Sequence, residues 1–203
     1  MKKLLFSIAL CLGFANANAQ DLDFGVRVAT NFNNIASQGG KSSERGRFGE
    51  GAGLFATYNL SEAFAVQVEA NYNNLGTMPY TTDPSGADLN QSAKTNLYYV
   101  QVPLLAKISL VGGLNLQVGP QAGYLFEGTA YATPVDGSAQ TDLTTLEEFD
   151  YGVVGGIGYN VPNSQITLDA RYYHGLSPFT TSPGDDGVEL QHRNINLSVG
   201  YKF

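Results

Sequence analysis

Seven charged residues lie in segments that otherwise alternate apolar residues with small polar ones, and they are the first candidates for chemistry. They are Arg27, Glu69, Lys107, Asp150, Asp169, Arg171 and Lys202. One hypothesis makes them the lining of a narrow ion path. The other makes them a mutually paired interior network, because charges removed from water require partners. The elements that carry these residues decide between the two.

The two histidines are the candidates for acid–base catalysis. His174 precedes Ser177 by three residues, and with the loop acid Asp185 the set could act on a lipid ester as base, nucleophile and orienting acid. No further catalytic pattern accompanies these residues. We therefore predict no catalytic residue and interpret His192, beside Arg193, as ordinary polarity at a strand end.

The sequence also argues against metal, phosphate and nucleic-acid chemistry. The acidic pairs at 147–148 and 185–186 lack the regular oxygen-ligand spacing of a calcium loop. The "GGIG" stretch at 155–158 lies within an alternating segment with no helix after it, unlike a phosphate-binding turn. The formal charge is -7 without a basic patch, which excludes nucleic acid as a natural partner. We predict neither a metal nor a cofactor.

The N-terminal segment has the features of a secretory signal peptide. Two lysines precede an apolar stretch over 4–15, and an Ala-Asn-Ala site ends at Ala19. The one cysteine, Cys11, lies inside the apolar stretch after Leu10, which argues against a lipoprotein signal. We predict removal of residues 1–19 and a single domain over 20–203.

Eight alternating segments follow, and none has a convincing helical period. The predicted strands are 22–32, 48–60, 64–73, 96–108, 114–126, 149–160, 165–175 and 190–203. Three connections are tight turns, and four are long loops, at 33–47, 74–95, 127–148 and 176–189. The long loops hold the turn formers and most of the acidic residues. Short turns on one side and long loops on the other are typical of an up-and-down meander.

The two faces of these strands differ in kind. Residues with the parity of Val26, Val28 and Leu197 are apolar and uncharged, whereas the opposite parity holds glycine, asparagine, glutamine and the seven charges. If the apolar face pointed inward, the protein would be a soluble lipocalin-like barrel with a greasy ligand cavity. If it pointed outward, an uncharged belt would surround a hydrogen-bonded interior.

Aromatic residues at the strand ends favour the outward arrangement. Two girdles are predicted, one beside the long loops and one beside the short turns, and their main members are Tyr58, Phe64, Tyr72, Tyr98, Tyr124, Tyr151, Tyr159 and Tyr172. Girdles that flank an apolar belt are typical of outer-membrane barrels, and closure satisfies the backbone groups that lipid cannot. We predict an all-β, closed, eight-stranded antiparallel up-and-down transmembrane barrel. Its interior is only wide enough for side chains, which favours the paired network.

Pro103 and Pro120 interrupt two neighbouring predicted strands. Each proline removes a ladder donor, and a closed barrel has no edge strand to accommodate it. We therefore expect β-bulges at both prolines, which shape the barrel rather than serve a function.

Several strand motifs resemble those of the PorT-like outer-membrane β-barrel family of Gram-negative bacteria. They are "LYYVQVPLLAKISL", "LNLQVGPQAGYLF", "FDYGVVGGIGYNV", "ITLDARYYHGLSPF" and "NINLSVGYKF", in that order. The resemblance implies the barrel fold and an outer-membrane location. Most members have no assigned activity, and the secretion role of the name-giving member does not carry over.

The last strand ends with the apolar residues Val199, Tyr201 and Phe203. They resemble the C-terminal signal by which the barrel-assembly machinery recognises outer-membrane proteins. We expect a non-enzymatic outer-membrane protein with a filled interior, whose partners are outer-membrane lipid, the assembly machinery and a protein bound at the outer loops. A narrow pore, a lipid-modifying enzyme and a soluble ligand-binding barrel remain the alternatives.

Overall fold

The structure, a computed structural model, describes residues 21–37, 47–75, 94–132, 139–142, 148–181 and 189–203. These residues form nine strands: β1 (Leu22–Ser37), β2 (Arg47–Asn59), β3 (Phe64–Asn74), β4 (Lys94–Ser109), β5 (Leu114–Ala132), β6 (Ala139–Asp142), β7 (Phe149–Asn160), β8 (Ile166–Thr181) and β9 (Glu189–Lys202). No helix in these ranges is long and apolar enough to cross a membrane. The predicted signal peptide lies outside the described residues.

Antiparallel pairing closes the sheet on itself. Sequential strands pair around the barrel, β5 pairs with β7, and β1 pairs with both β2 and β9. The first and last strands therefore lie side by side, and the amide of Phe203 donates to the carbonyl of Phe24 at 2.9 Å. The prediction of a closed eight-stranded antiparallel barrel is confirmed: eight strands form the ring, and the four-residue β6 adds to the outer end of β5.

The alternation of side chains assigns the two faces. Val26 and Val28 are 40% and 62% exposed, whereas Arg27 between them is 5% exposed. Because successive side chains of a strand point to opposite faces, the apolar set forms the outer belt and the charged set lies inside. This rules out the lipocalin-like alternative, which needs the apolar set within the barrel.

The eight girdle residues named from the sequence are exposed or half-buried, as outward positions require. Several contact another ring: Tyr72 stacks on Tyr98 with ring centroids 5.6 Å apart, and Tyr124 meets Phe149 edge-on at 5.9 Å. At the C-terminus, the rings of Tyr201 and Phe203 are 6.0 Å apart. Aromatic pairs therefore occur near both ends of the strands.

The strands extend further on the loop side than the alternation predicted. β1 continues to Ser37, β5 to Ala132 and β8 to Thr181, and β6 lies within the predicted third loop. Backbone pairing maintains these extensions even where the apolar alternation of the belt has ended. The remaining parts of the predicted loops lie outside the described residues.

The expectation of bulges at the two prolines is wrong. Pro103 pairs with Gln121 and Ala106 pairs with Val118, so the register of β4 against β5 is the same on both sides. The register shifts instead between Tyr98 and Tyr99. Near the prolines, the backbones of β4 and β5 approach each other closely. A Cβ added at Gly119 would lie 1.8 Å from the carbonyl oxygen of Leu104. Glycine at this position provides the necessary space.

Candidate functional site

A cluster of four buried charges crosses the barrel interior midway along β3. Glu69 on β3 pairs with Arg27 on β1, and its Oε1 lies 2.8 Å from Nη1 of Arg171 on β8. Arg171 also reaches Oδ2 of Asp169 at 3.2 Å. We call these four residues the Glu69 cluster. Two positive and two negative charges balance, so the cluster meets the requirement that buried ions be paired.

The carboxylate of Glu69 accepts two hydrogen bonds on each oxygen. Oε2 accepts from Arg27 and from Nδ2 of Asn71 at 2.8 Å, and Oε1 accepts from Arg171 and from Gln67. The glutamate side chain is fully buried, with 0% of its surface accessible. Charge-assisted bonds of this kind are stronger than neutral ones, so Glu69 connects β1, β3 and β8 through a single side chain.

Lys107 extends the polar interior toward the short turns. Its Nζ donates to Oε1 of Gln67 at 2.9 Å, and Oγ1 of Thr57 donates to the same oxygen at 2.8 Å. Gln67 donates in turn to Glu69, which links Lys107 to the Glu69 cluster. Gln117 donates to Oδ1 of Asp169 at 2.6 Å. Amide side chains thus extend the Glu69 cluster, from Glu69 through Gln67 to Lys107 and from Asp169 to Gln117.

A chain of amides lies on the loop side of the Glu69 cluster. Asn196 on β9 donates to Asn31 on β1 at 2.6 Å, Asn31 donates to Asn73 on β3 at 2.9 Å, and Asn73 donates to Gln101 on β4 at 2.8 Å. The chain passes over β2 at Gly51, where an added Cβ would lie 1.9 Å from Oδ1 of Asn73. Glycine at residue 51 of β2 therefore leaves room for the hydrogen bond between Asn31 of β1 and Asn73 of β3.

Asp150 belongs to a separate cluster further toward the loops. Its Oδ2 accepts from the Tyr173 hydroxyl at 2.9 Å, and its Oδ1 accepts from Ser177 at 2.7 Å. Nearby, the hydroxyl of Tyr99 lies 3.4 Å from Nε2 of His192. All five residues are buried. This outer cluster holds its carboxylate with hydroxyl groups instead of with an arginine.

Lys202 lies apart from the other six predicted charges, at the turn side of the barrel. Its Nζ is 3.6 Å from Oδ2 of Asp23, and 27% of its side chain is accessible. The structure thus brings Arg27, Glu69, Asp169 and Arg171 into direct contact and attaches Lys107 through Gln67. Asp150 and Lys202 have other partners.

Several interior residues were not predicted from the sequence. His192, interpreted as polarity at a strand end, lies inside the barrel and is 3% exposed. It is two residues from the interior Asn194 and therefore on the same face of the strand, which was the available signal. Tyr99 and Tyr173 also face inward, and the parity that they share with Gln101 and Arg171 was the available signal. Asp23, the partner of Lys202, lies one residue before the first belt position and carried no separate signal.

The geometry does not assemble the catalytic set considered above. Ser177 is buried inside the barrel, whereas His174 shares the outward face of β8 with Tyr172 and Leu176, which are 44% and 48% exposed. The strand backbone therefore separates the serine from this histidine. Asp185 lies outside the described residues. In the part of the chain that the structure covers, no three His, Cys, Asp or Glu residues gather as a metal site would require.

Comparison with known proteins identifies the family. A model of the outer membrane protein beta-barrel domain matches residues 14–181. The chain belongs to that family. Membership agrees with the apolar outer belt and implies that the barrel lies in the outer membrane. No curated protein matches this member of the family in sequence.

Solved outer-membrane barrels share the fold of this family member at low sequence identity. Neisserial surface protein A is 14% identical, with a TM-score of 0.53, over 89% of this chain and 97% of that protein. Ail, the attachment invasion locus protein of Yersinia pestis, is 15% identical in its complex with the heparin analogue sucrose octasulfate. That comparison has a TM-score of 0.50 and covers 90% of this chain and 99% of Ail.

Proposed function

We propose that this outer-membrane barrel is a non-enzymatic protein with a closed interior, which anchors its outer loops at the cell surface. The observation that carries the proposal is the Glu69 cluster. Its four charges meet across the barrel from β1, β3 and β8 and are held by further amides. An ion path through this region would have to break buried charge pairs. Breaking such a pair destabilises the protein, because it leaves one charge buried without a partner.

The proposed interaction role belongs to the four long loops. They carry most of the acidic residues of the chain, and the sequence at 76–93 and 182–188 is rich in turn formers. Functional contacts concentrate on loops that a rigid scaffold positions. The proposed partners are outer-membrane lipid around the belt, the barrel-assembly machinery during insertion, and a protein bound at these loops.

Two finer assignments accompany this proposal. The strand motifs support placement among PorT-like barrels within the wider family, without a secretion role.

Residues 1–19 are proposed as a signal peptide, which leaves a mature domain over 20–203. N-terminal sequencing of protein purified from outer membranes is expected to begin at Gln20. A first residue elsewhere would contradict the proposed cleavage site.

Conductance in planar bilayers tests the closed interior. Purified wild-type protein, inserted in its folded state, is expected to give no discrete current steps above those of protein-free bilayers. A channel-forming barrel purified in the same detergent serves as the positive control for insertion. Reproducible steps from the wild-type protein would contradict the closed interior and favour the narrow ion path.

Loop replacement tests the interaction role. The segment 76–93 is replaced by a short turn, and proteins that co-purify with this variant and with the wild type are compared after cross-linking in whole cells. We expect the variant to lose a specific cross-linked protein while it keeps its outer-membrane level. Identical cross-linking patterns for variants in each of the four loops would contradict a loop-mediated role.

A further inference from the structure

A small internal cavity lies between the Glu69 cluster and the amide chain. Its volume is about 20 Å³, and it is lined by Arg27 and Arg171 of the cluster, by Asn31 of the amide chain, and by Asn71, which donates to Glu69. A cavity of at least about 10–15 Å³ can hold one water molecule if the molecule finds two to four polar partners. The volume therefore admits one small molecule and no larger solute.

Three polar atoms on the residues that line this cavity have no hydrogen-bond partner within the described chain. They are Nε of Arg27, Nε of Arg171 and Oδ1 of Asn71. Arg27 and Arg171 are only 5% and 4% exposed, so bulk water does not satisfy them. A buried polar group without a partner costs about 1–3 kcal/mol. Three such groups on the lining residues of one cavity point to a bound molecule.

The donor and acceptor pattern identifies the chemistry of that molecule. Each arginine Nε–H can only donate, whereas Oδ1 of Asn71 can only accept. The orientation of the Asn71 amide is set by its Nδ2, which donates to Oε2 of Glu69 at 2.8 Å. The occupant must therefore accept two hydrogen bonds and donate one. Water does both, whereas a halide ion cannot donate and would face the amide oxygen unfavourably.

We propose that this cavity is a binding site for one ordered water molecule, held by Arg27, Arg171 and Asn71. The water gives the Nε–H of each guanidinium group an acceptor and joins β1, β3 and β8 a second time, beside the bonds of the Glu69 carboxylate. The inference deepens the closed interior proposed above, because one bound water occupies the space that the side chains leave in this region of the barrel. Any solute that passed along the barrel would have to displace this molecule.

A crystal structure at about 2 Å resolution or better tests the site, with bromide in place of chloride in the crystals. The wild-type protein is expected to show one density peak within hydrogen-bond distance of both Nε atoms and Oδ1 of Asn71, without bromide anomalous signal. An anomalous peak would assign the site to an anion and overturn the proposal. Absence of any peak, with the three side chains ordered, would overturn it as well.

Side-chain variants and a solution measurement give independent readouts. Asn71→Leu removes the acceptor and is expected to abolish the peak, whereas Thr57→Val removes a buried hydroxyl away from the cavity and is expected to retain it. In detergent micelles, NMR cross peaks between water and the Nε–H protons of Arg27 and Arg171 are expected in the wild type, and their absence contradicts a bound water. If the water is observed but the wild type conducts ions, the proposed closed interior fails while the water site stands.

Discussion

At the scale of single residues, Glu69 is the side chain that connects the two buried arginines of the interior. It compensates two guanidinium groups at once, and each of its oxygens accepts two hydrogen bonds. Its partners come from strands that are far apart in the chain, since Arg171 lies 102 positions away. Two of the three ion pairs of the Glu69 cluster therefore depend on one carboxylate, and mutation can measure the consequence.

Glu69→Gln keeps the shape of the side chain but removes its charge, so that Arg27 and Arg171 lose their shared counterion. Breaking a buried pair in this way costs about 3–5 kcal/mol, and we expect the free energy of unfolding to fall by that amount. The measurement is urea unfolding of protein folded into lipid vesicles, followed by far-UV circular dichroism because the chain contains no tryptophan.

The control for Glu69→Gln is Asp23→Asn. Asp23 pairs with Lys202 at 3.6 Å near the turn side, where both side chains are partly exposed. Partly exposed ion pairs contribute about 0–1 kcal/mol, so this variant is expected to stay within about 1 kcal/mol of the wild type. Equal losses for the two variants would contradict a special role for the Glu69 cluster.

At the scale of elements, glycine determines where strands and their side chains can approach one another. Gly51 admits the amide chain over β2, and Gly119 admits the backbone of β4 against β5 near the two prolines. On the outward face, by contrast, a Cβ added at Gly155 would meet only the carbonyl oxygen of Gln117, at 3.8 Å. The same residue type is thus required at some strand positions and replaceable at another.

Gly119→Ala and Gly155→Ala form a matched pair that tests this difference. The Cβ at residue 119 would overlap the Leu104 carbonyl, and we expect a loss of about 1–3 kcal/mol in unfolding free energy, the usual cost of overpacking. At residue 155 the change is expected to stay within about 0.5 kcal/mol. Urea unfolding in vesicles measures both, and a Gly119→Ala variant as stable as Gly155→Ala would show that the two strands can separate without cost.

At the scale of the whole molecule, closure joins the two ends of the barrel wall. β9 pairs with β1 over most of its length, and Phe203 adds one backbone hydrogen bond to Phe24. The side chain of Phe203 is 74% exposed, so it contributes little to packing within the barrel. Loss of this side chain is therefore expected to change the stability of the barrel only slightly.

Deletion of Phe203 is expected to lower the outer-membrane level of the protein several-fold, because the proposed assembly signal loses its last residue. The isolated fold should lose only about 1 kcal/mol, the net contribution of one hydrogen bond. Quantitative immunoblots of membrane fractions, together with urea unfolding of refolded protein, separate the two effects. Phe126→Ala, at another exposed phenylalanine, is the control and should leave the level unchanged. A truncated protein at normal outer-membrane levels would contradict the signal.

A closed barrel also predicts a characteristic behaviour on gels. All sheet edges within the barrel wall are paired, so the folded protein should resist detergent at room temperature and unfold only on heating. We expect unheated and boiled samples to migrate at different positions in SDS gels. Glu69→Gln should convert to the boiled form at a lower temperature than the wild type, and a single band under all conditions would contradict a stable closed barrel.

The amino-acid sequence by itself determined the class of the fold, because a period of two is a local property that each strand carries in full. The alternation of Val26, Arg27 and Val28 already separates a belt residue from an interior one, and its repetition in eight segments predicts the barrel. It did not reveal β6 or the outer extensions, where pairing continues without the apolar pattern.

Only the tertiary structure decided which interior residues meet. Arg27 and Glu69 are 42 positions apart, and their contact depends on the register of β1, β2 and β3, which alternation does not specify. For the same reason, the parity that put Asp150 and Lys202 inside could not assign their partners. Periodicity determines the face on which a side chain lies. Strand register, which emerges only when the barrel closes, determines what that side chain contacts.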